Sequence, residues 1–502
     1  MKRTYDVIVV GSGHNGLTCA AYLAAGGLDV CVLERRDIAG GATVTEELIP
    51  GFRLSTASYS LSLMRPDVYE DLDLARHGLS FYPKDPQLFV PLPDGRHFFI
   101  WRDAEKTYRE IARIHEPDVE GYKRFSAFWE EAVHKLRPMI EAADPPTIGE
   151  VESQLGTDMF ELAVAGSVAT NVEYFFESEP LQGAFASQGI IGTMSGPRDP
   201  GTAWVMAYHF IGGELNDAWG TWAYARGGMG EVSRSLRAAA EEAGAAIILS
   251  SEVDSMIVEG GKVAGVLLTD GTAVGAKVVV SNAHPSITFG FVPADLVPDE
   301  IHEKLKGWRT EGSVVKVNMA LDGLPDYSVL PGNSPSEQHL GTLEISPSIG
   351  YLEAAWEQSA HGRYPDRPFM EVFIQSASDP TLAPEGKHVL SAFTQYAPVD
   401  NQIDKADVVT KVLSTIGAHA PNVTDIVLAT EVLGPRDLED RFALVGGNIF
   451  HGEILPEQSF AARFPYRTGV DGLYLCGSGA SPGGGVMAAA GRNCARIVLS
   501  DW

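Results

Sequence analysis

The N-terminal segment constrains this chain more than any other part of it. Tyr5-Asp6-Val7-Ile8-Val9-Val10 reads as a buried parallel strand, runs directly into Gly11-Ser12-Gly13-His14-Asn15-Gly16 and continues as the Ala-rich helical stretch Leu17 to Ala25. Gly11 permits the tight turn, Gly13 lets the backbone approach a pyrophosphate at the helix N-terminus, and Gly16 lets the helix pack closely on the strand. A second strand, Leu28 to Leu33, ends in Glu34, at the interval where a carboxylate accepts hydrogen bonds from ribose hydroxyls and repels a 2′-phosphate. A chance glycine-rich turn would lack the strand, the helix and the terminal acid, so the segment implies a dinucleotide site.

Which dinucleotide is indicated further on. Arg35-Arg36-Asp37-Ile38-Ala39-Gly40-Gly41 places a glycine pair after the acidic residue. Near the other end, Gly472-Leu473-Tyr474-Leu475-Cys476-Gly477-Ser478-Gly479-Ala480-Ser481-Pro482-Gly483-Gly484-Gly485-Val486-Met487 is again strand, glycine-rich turn and helix, a turn that aims free backbone N–H groups at a ligand. Together these segments resemble the extended FAD-binding signature of flavin amine oxidases and phytoene desaturase-type enzymes. Gly446 to Glu453 and Arg65-Pro66-Asp67-Val68-Tyr69 narrow the resemblance to the carotenoid/retinoid oxidoreductase (phytoene desaturase-like) family, in the branch named for a pyridine nucleotide-disulfide oxidoreductase domain, over nearly the full length. The resemblance implies that FAD is held by Gly11, Gly13, His14, Asn15, Gly16, Glu34, Arg35, Gly40 and Gly41 from the first segment, and by Gly477, Ser478, Gly484, Gly485 and Val486 from the last. Where many relatives have His-Pro-Gly-Gly, this chain has Ser481-Pro482-Gly483-Gly484, so a proton-handling role for that histidine is not carried over.

At 502 residues the chain exceeds one ordinary core and points to two intertwined domains, or to about three units of typical length. From Phe52 to Pro146 a helix ending at Gly78, a hairpin of Phe89–Leu92 with His97–Trp101 and a helical stretch from Ala104 to Ala143 mark a substrate domain; Phe125, Phe128 and Trp129 read as a core-facing stripe. The Rossmann rhythm returns at Ala223 to Gly230, with a helix Glu231–Ala243, a strand Ala246–Leu249, a hairpin at Glu259–Lys262 and a strand Ala276–Ala283. Ile301 to Asn422 reads as an antiparallel sheet, with strands such as Val314–Met319 and Met370–Ile374. The expected fold is α/β: a Rossmann-type FAD-binding domain (residues 1–70, 221–295 and 436–502) interleaved with an α+β substrate-binding domain (71–220 and 296–435) containing that sheet.

With 66 acidic and 38 basic side chains the formal charge is −28, which repels phosphate backbones and argues against a nucleic-acid partner. A small apolar patch could still touch lipid, so peripheral membrane contact stays open. No export signal is visible and the four cysteines are scattered without a C-x-x-C pair or metal-ligand spacing, so a cytoplasmic protein without a dithiol centre or metal site is expected.

No Ser/His/Asp triad or carboxylate pair stands out, so the reactive group is most simply the cofactor. His451 and Glu453 are the acid/base candidates, because the resemblance places their loop near the flavin; the alternative is a turn whose side chains satisfy local backbone groups. Arg226 either neutralises reduced flavin or pairs with an acid. Trp204, Tyr208, Trp219 and Trp222, with His209 among them, either line a pocket for a hydrophobic substrate or pack the core. The resemblance implies hydride transfer from an apolar or aromatic small molecule to flavin N5, with oxygen or a quinone as acceptor. A redox-neutral polyene isomerase and a non-catalytic lipid-binding protein on the same fold are the alternatives.

Overall fold

A computed structural model describes residues 2–212 and 222–502. Strand β1 (Thr4–Val10) is rich in β-branched residues and buried along almost its whole length, as a strand covered on both faces must be. It pairs in parallel with β2 (Val30–Leu33) on one side and with Ala273–Ser281 on the other. The complete sheet has seven strands, in the order Val253–Glu259, Lys262–Leu268, Ala273–Ser281, β1, β2 and Ala246–Ile248, with Leu473–Leu475 joining Ala273–Ser281 in parallel. Three distant stretches of chain thus build one nucleotide-type sheet. Helix α1 (His14–Ala25) packs between the helices Gly230–Glu242 and Ala489–Asp501. A Cβ on Gly16 would stand 2.2 Å from the Gly11 carbonyl oxygen, so only glycine closes this turn.

A second seven-stranded sheet carries the other half of the molecule, in the order Val427–Leu433, Val314–Leu321, His388–Gln395, Phe369–Phe373, Thr342–Ile345, Leu88–Pro91 and His97–Ile100. It is antiparallel except where Thr342 and Leu343 run parallel to Leu88 and Phe89. The chain is therefore α/β with an interleaved α+β part, and the early hairpin at 88–100 belongs to the same sheet as the later strands. Phe125 and Trp129 are buried among the helices beside this sheet, as a core stripe should be.

Two local expectations are corrected. The helical stretch from Ala104 to Ala143 is two helices, Ala104–His115 and Asp118–Glu141, because Pro117 has no N–H to continue the first and starts the second. The helix expected to end at Gly78 is Pro66–Asp71, and residues 72–78 follow it as turns.

Candidate active site

A cavity of about 430 Å³ lies between the two sheets. Its nucleotide end is lined by Gly11, Gly13, His14, Asn15, Glu34 and Arg35. The Glu34 carboxylate is fixed from three sides: Oε2 accepts the Ser12 N–H (2.9 Å) and hydroxyl (2.7 Å), and Oε1 accepts the Arg36 N–H (2.9 Å). Gly40 donates its N–H to the Ser12 carbonyl at 3.0 Å and bridges to Gly13, so the trailing glycine pair lies directly against the first turn. Gly41 has φ +57°, and a Cβ there would stand 3.2 Å from the Gly13 Cα.

The C-terminal turn closes the same cavity through Ser478, Gly485 and Val486. Asn15 ties the two ends together: its Nδ2 donates to Ser478 Oγ at 3.4 Å and its Oδ1 accepts the Gly491 N–H at 3.4 Å. Gly16, Gly40, Gly477 and Gly484 stand one layer behind the wall. A Cβ on Gly484 would meet the Phe450 ring at 2.3 Å and one on Gly477 the Asn282 carbonyl at 2.5 Å, so these glycines serve packing. A cradle of glycines, a held carboxylate and ring nitrogens left without partners, His14 Nε2 and His451 Nδ1, fit a large polar ligand such as FAD. Burial pushes His14 down to about 4, so it faces the cavity as a neutral imidazole.

His451 lines the cavity from a loop built to present it. Asn448 Oδ1 accepts the N–H groups of Phe450 (2.9 Å) and Gly452 (3.1 Å), and Trp308 Nε1 donates to the His451 carbonyl at 2.8 Å. The residue sits at φ +59°, and its ring lies 5.4 Å from that of His284. Burial, the neighbouring His284 and Arg463 hold its pKa well below the usual histidine value. Glu453 is not in the wall. Its buried carboxylate accepts the Met194 N–H at 3.1 Å and lies 3.7 Å from Arg309, which ties down a neighbouring turn instead of facing the cavity.

The aromatic candidates separate in the same way. Trp222 and His209 line the cavity. Trp204 and Tyr208 do not: the helix Thr202–Phe210 is buried on every side, so these two face the core while His209 faces the cavity. Trp204 Nε1 donates to Ser459 Oγ at 2.9 Å, and the Tyr208 hydroxyl donates to the Gly484 carbonyl at 2.8 Å. Trp219 lies outside the described residues. Arg226 is exposed, stacked 5.8 Å over Tyr82 and absent from the cavity wall.

Several groups escaped the sequence reading. Lys316, on the strand Val314–Leu321, lines the cavity, is 2% exposed, and donates to the carbonyls of Ser55 (2.6 Å) and Ala57 (2.9 Å). Burial brings its pKa down to about 7. Behind the cavity-lining Tyr59 lies a buried charge cluster. The Tyr59 hydroxyl donates to Glu371 at 2.9 Å, Glu371 faces Glu344 across neighbouring strands, and Lys84 donates to Thr342 Oγ1 at 2.6 Å amid the rings of Trp222, Tyr224 and Phe373. Burial pushes both carboxyls up and Lys84 down to about 8. The fold also brings together cysteines that are distant in the sequence: Cys19 is within hydrogen-bonding reach of Cys476 and Cys494, all three buried and free. Among the described residues no set of three side chains could hold a metal ion and no helix is long and apolar enough to cross a membrane.

Residues 16–499 match the family described as flavin containing amine oxidoreductase. The mouse protein named pyridine nucleotide-disulfide oxidoreductase domain-containing protein 2 is 38% identical over 100% of this chain and 94% of its own length. A neurosporene-forming phytoene desaturase of Rhodobacter capsulatus is 27% identical over 96% of this chain and 91% of its own. Among solved structures, an oxidoreductase from Methanosarcina mazei superposes with a TM-score of 0.63 at 18% identity, covering 99% of this chain and 100% of that one.

Proposed function

The chain belongs to the flavin containing amine oxidoreductase family, and from that premise we propose that it is an FAD-dependent dehydrogenase, desaturase or oxidase of an apolar or aromatic small molecule. One observation carries the reading: a single cavity runs from a fixed ribose-type carboxylate, Glu34, past two glycine turns to a chamber walled by Tyr59, Leu63, Ile191, Trp222, Phe393 and Phe450. Those six walls are all apolar or aromatic, which supports an apolar or aromatic substrate.

FAD, when bound, supplies the two-electron acceptor at N5. Glu34 would hold the adenosine ribose, and Gly11, Gly13 and the start of α1 would receive the pyrophosphate. The turn at Ser478, Gly485 and Val486 would support the remainder. The apolar chamber excludes water and orients the substrate. Lys316, whose pKa burial brings down to about 7, and His451, held as a neutral imidazole by burial and its neighbours, line the cavity and serve as the proton-handling pair, with Glu453 behind the His451 loop.

The absorption spectrum of the purified protein tests this, followed by anaerobic photoreduction and re-exposure to air. A flavin spectrum that recovers rapidly in air supports an oxidase, with oxygen as acceptor. Slow recovery supports a quinone-linked desaturase or an isomerase that works with reduced FAD. A colourless protein that FAD cannot reconstitute overturns the proposal and favours a lipid-binding role on the same fold.

A further inference from the structure

Arg463 stands one layer behind the cavity wall and is 2% exposed. All five of its N–H donors are spent on four main-chain carbonyls: Nη2 on Phe450 (2.5 Å) and Ser478 (2.7 Å), Nε on Ser478 (3.2 Å), and Nη1 on Glu453 and Gln458 (3.0 Å each). Phe450 and Ser478 themselves line the cavity, one beside His451 and the other on the C-terminal glycine turn. Among the described residues no carboxylate lies within ion-pair distance of the guanidinium, and the Glu453 side chain turns instead towards Met194 and Arg309. The Trp308 ring, 5.7 Å away, is its aromatic neighbour. Carbonyl dipoles satisfy the donors but leave the net charge uncompensated, and burying such a charge is costly unless something else draws on it.

We propose that Arg463 is the fixed cation of the cofactor site: it clamps the His451 loop to the C-terminal glycine turn and stabilises the anionic, reduced form of the FAD held between them. The inference rests on the FAD reading given above. Two electrons and one proton convert neutral oxidised flavin into an anion, and a cation already in place lowers the energy of that product without any further proton moving. Its influence already reaches this wall, since it helps depress the pKa of both His284 and His451, while its own pKa of about 10 keeps it charged at neutral pH. Lysine could supply the charge, but its three donors cannot span the four carbonyls.

The test compares wild type, Arg463→Lys and Arg463→Met after reconstitution with FAD. Two quantities are read: the two-electron midpoint potential, and the affinity for sulfite, which adds to oxidised flavin to give an anion. Arg463→Met should move the reduction equilibrium roughly tenfold or more towards oxidised FAD, a fall of about 30 mV, and weaken sulfite binding by a similar factor. Arg463→Lys should stay within about threefold of wild type. An unmoved potential and sulfite affinity in Arg463→Met overturn the inference, as does a lysine variant that falls as far as the methionine one, because the clamp and not the charge would then be responsible. If Arg463→Met holds no FAD, wild type decides: a red anionic semiquinone and a sulfite adduct support the inference, and a blue neutral semiquinone with no adduct overturns it. A colourless wild-type protein overturns the FAD reading and this inference with it, whereas a flavin-loaded protein with an unmoved potential overturns this inference alone.

Discussion

Acid should destabilise this protein through histidines that the fold keeps neutral, and His284 allows the effect to be isolated. It is 1% exposed, its Nδ1 accepts the Ser286 N–H at 3.1 Å to cap the helix Pro285–Gly290, and its Nε2 has no partner. Burial, aided by Arg463, brings its pKa from 6.5 to about 4. The unfolded chain therefore takes up a proton as pH falls through the ordinary histidine range while the folded chain does not, so stability is full above that range and is lost below it. With about 6.5 for the unfolded and about 4 for the folded value, the loss between about pH 8 and about pH 5 is about 2 kcal/mol, and the limiting loss is about 3 kcal/mol. His284→Asn keeps an acceptor for the Ser286 N–H and removes the titration. Urea unfolding of both proteins at the two pH values should show the variant gaining about 2 kcal/mol on wild type at the acid end. The comparison must be between proteins, because Glu344, Glu371 and Glu453 have raised pKa values and regain stability as pH falls, which bends the wild-type curve the other way. A relative change below about 0.5 kcal/mol would refute the claim that the fold holds His284 neutral.

Three further outcomes are expected. Gly13→Val should abolish FAD binding while leaving the circular dichroism spectrum intact, since Gly13 has φ −58°, which valine can adopt, but a Cβ there would stand 2.6 Å from Asn282 Nδ2 and its methyls would project where the ligand must approach. Lys84→Met should cost about 3 kcal/mol by leaving the paired carboxyls without their cation, and adding Glu371→Gln should recover most of it, as read by denaturant midpoint. Lys316→Met should keep the flavin but remove the shift in its absorption that wild type shows as pH passes through about 7, because the titrating ammonium in the cavity wall is gone.

How much of this was legible in the sequence follows from the range over which each signal acts. The strand, the glycine turn, α1 and Glu34 are set by contacts within a few dozen residues, and each is written as a hydrophobic run or a glycine, so the nucleotide half could be read directly. The aromatic stretch misled for a local reason: Trp204 and Tyr208 look like pocket residues, yet a helix buried all round gives its sequence no face by which core and cavity could be told apart. Cys19, Cys476 and Cys494 meet only because the last strand returns to the first sheet, a crossover that spacing along the chain does not encode.

Lys316, Glu344 and Glu371 did leave a trace, one that periodicity alone undervalues. Each stands inside an apolar strand, VVKVNMAL, TLEI and FMEVF, in which every residue is buried. Where one face of a sheet meets water, a charge in a strand is ordinary, because alternate residues point outward. Where both faces are covered, the same charge must enter the interior whichever way it points, and it costs several kcal/mol unless it is paired or used. Lys84 and Tyr59 answer that cost for Glu371, and the carbonyls of Ser55 and Ala57 answer it for Lys316, so these residues join the second sheet to the cavity wall. A lone charge in a strand apolar on both sides is thus the sequence mark of the substrate half, as the glycine turn is of the cofactor half. Reading it requires knowing that these three strands have no wet face, which their place within the sheet and the side chains packed on them establish.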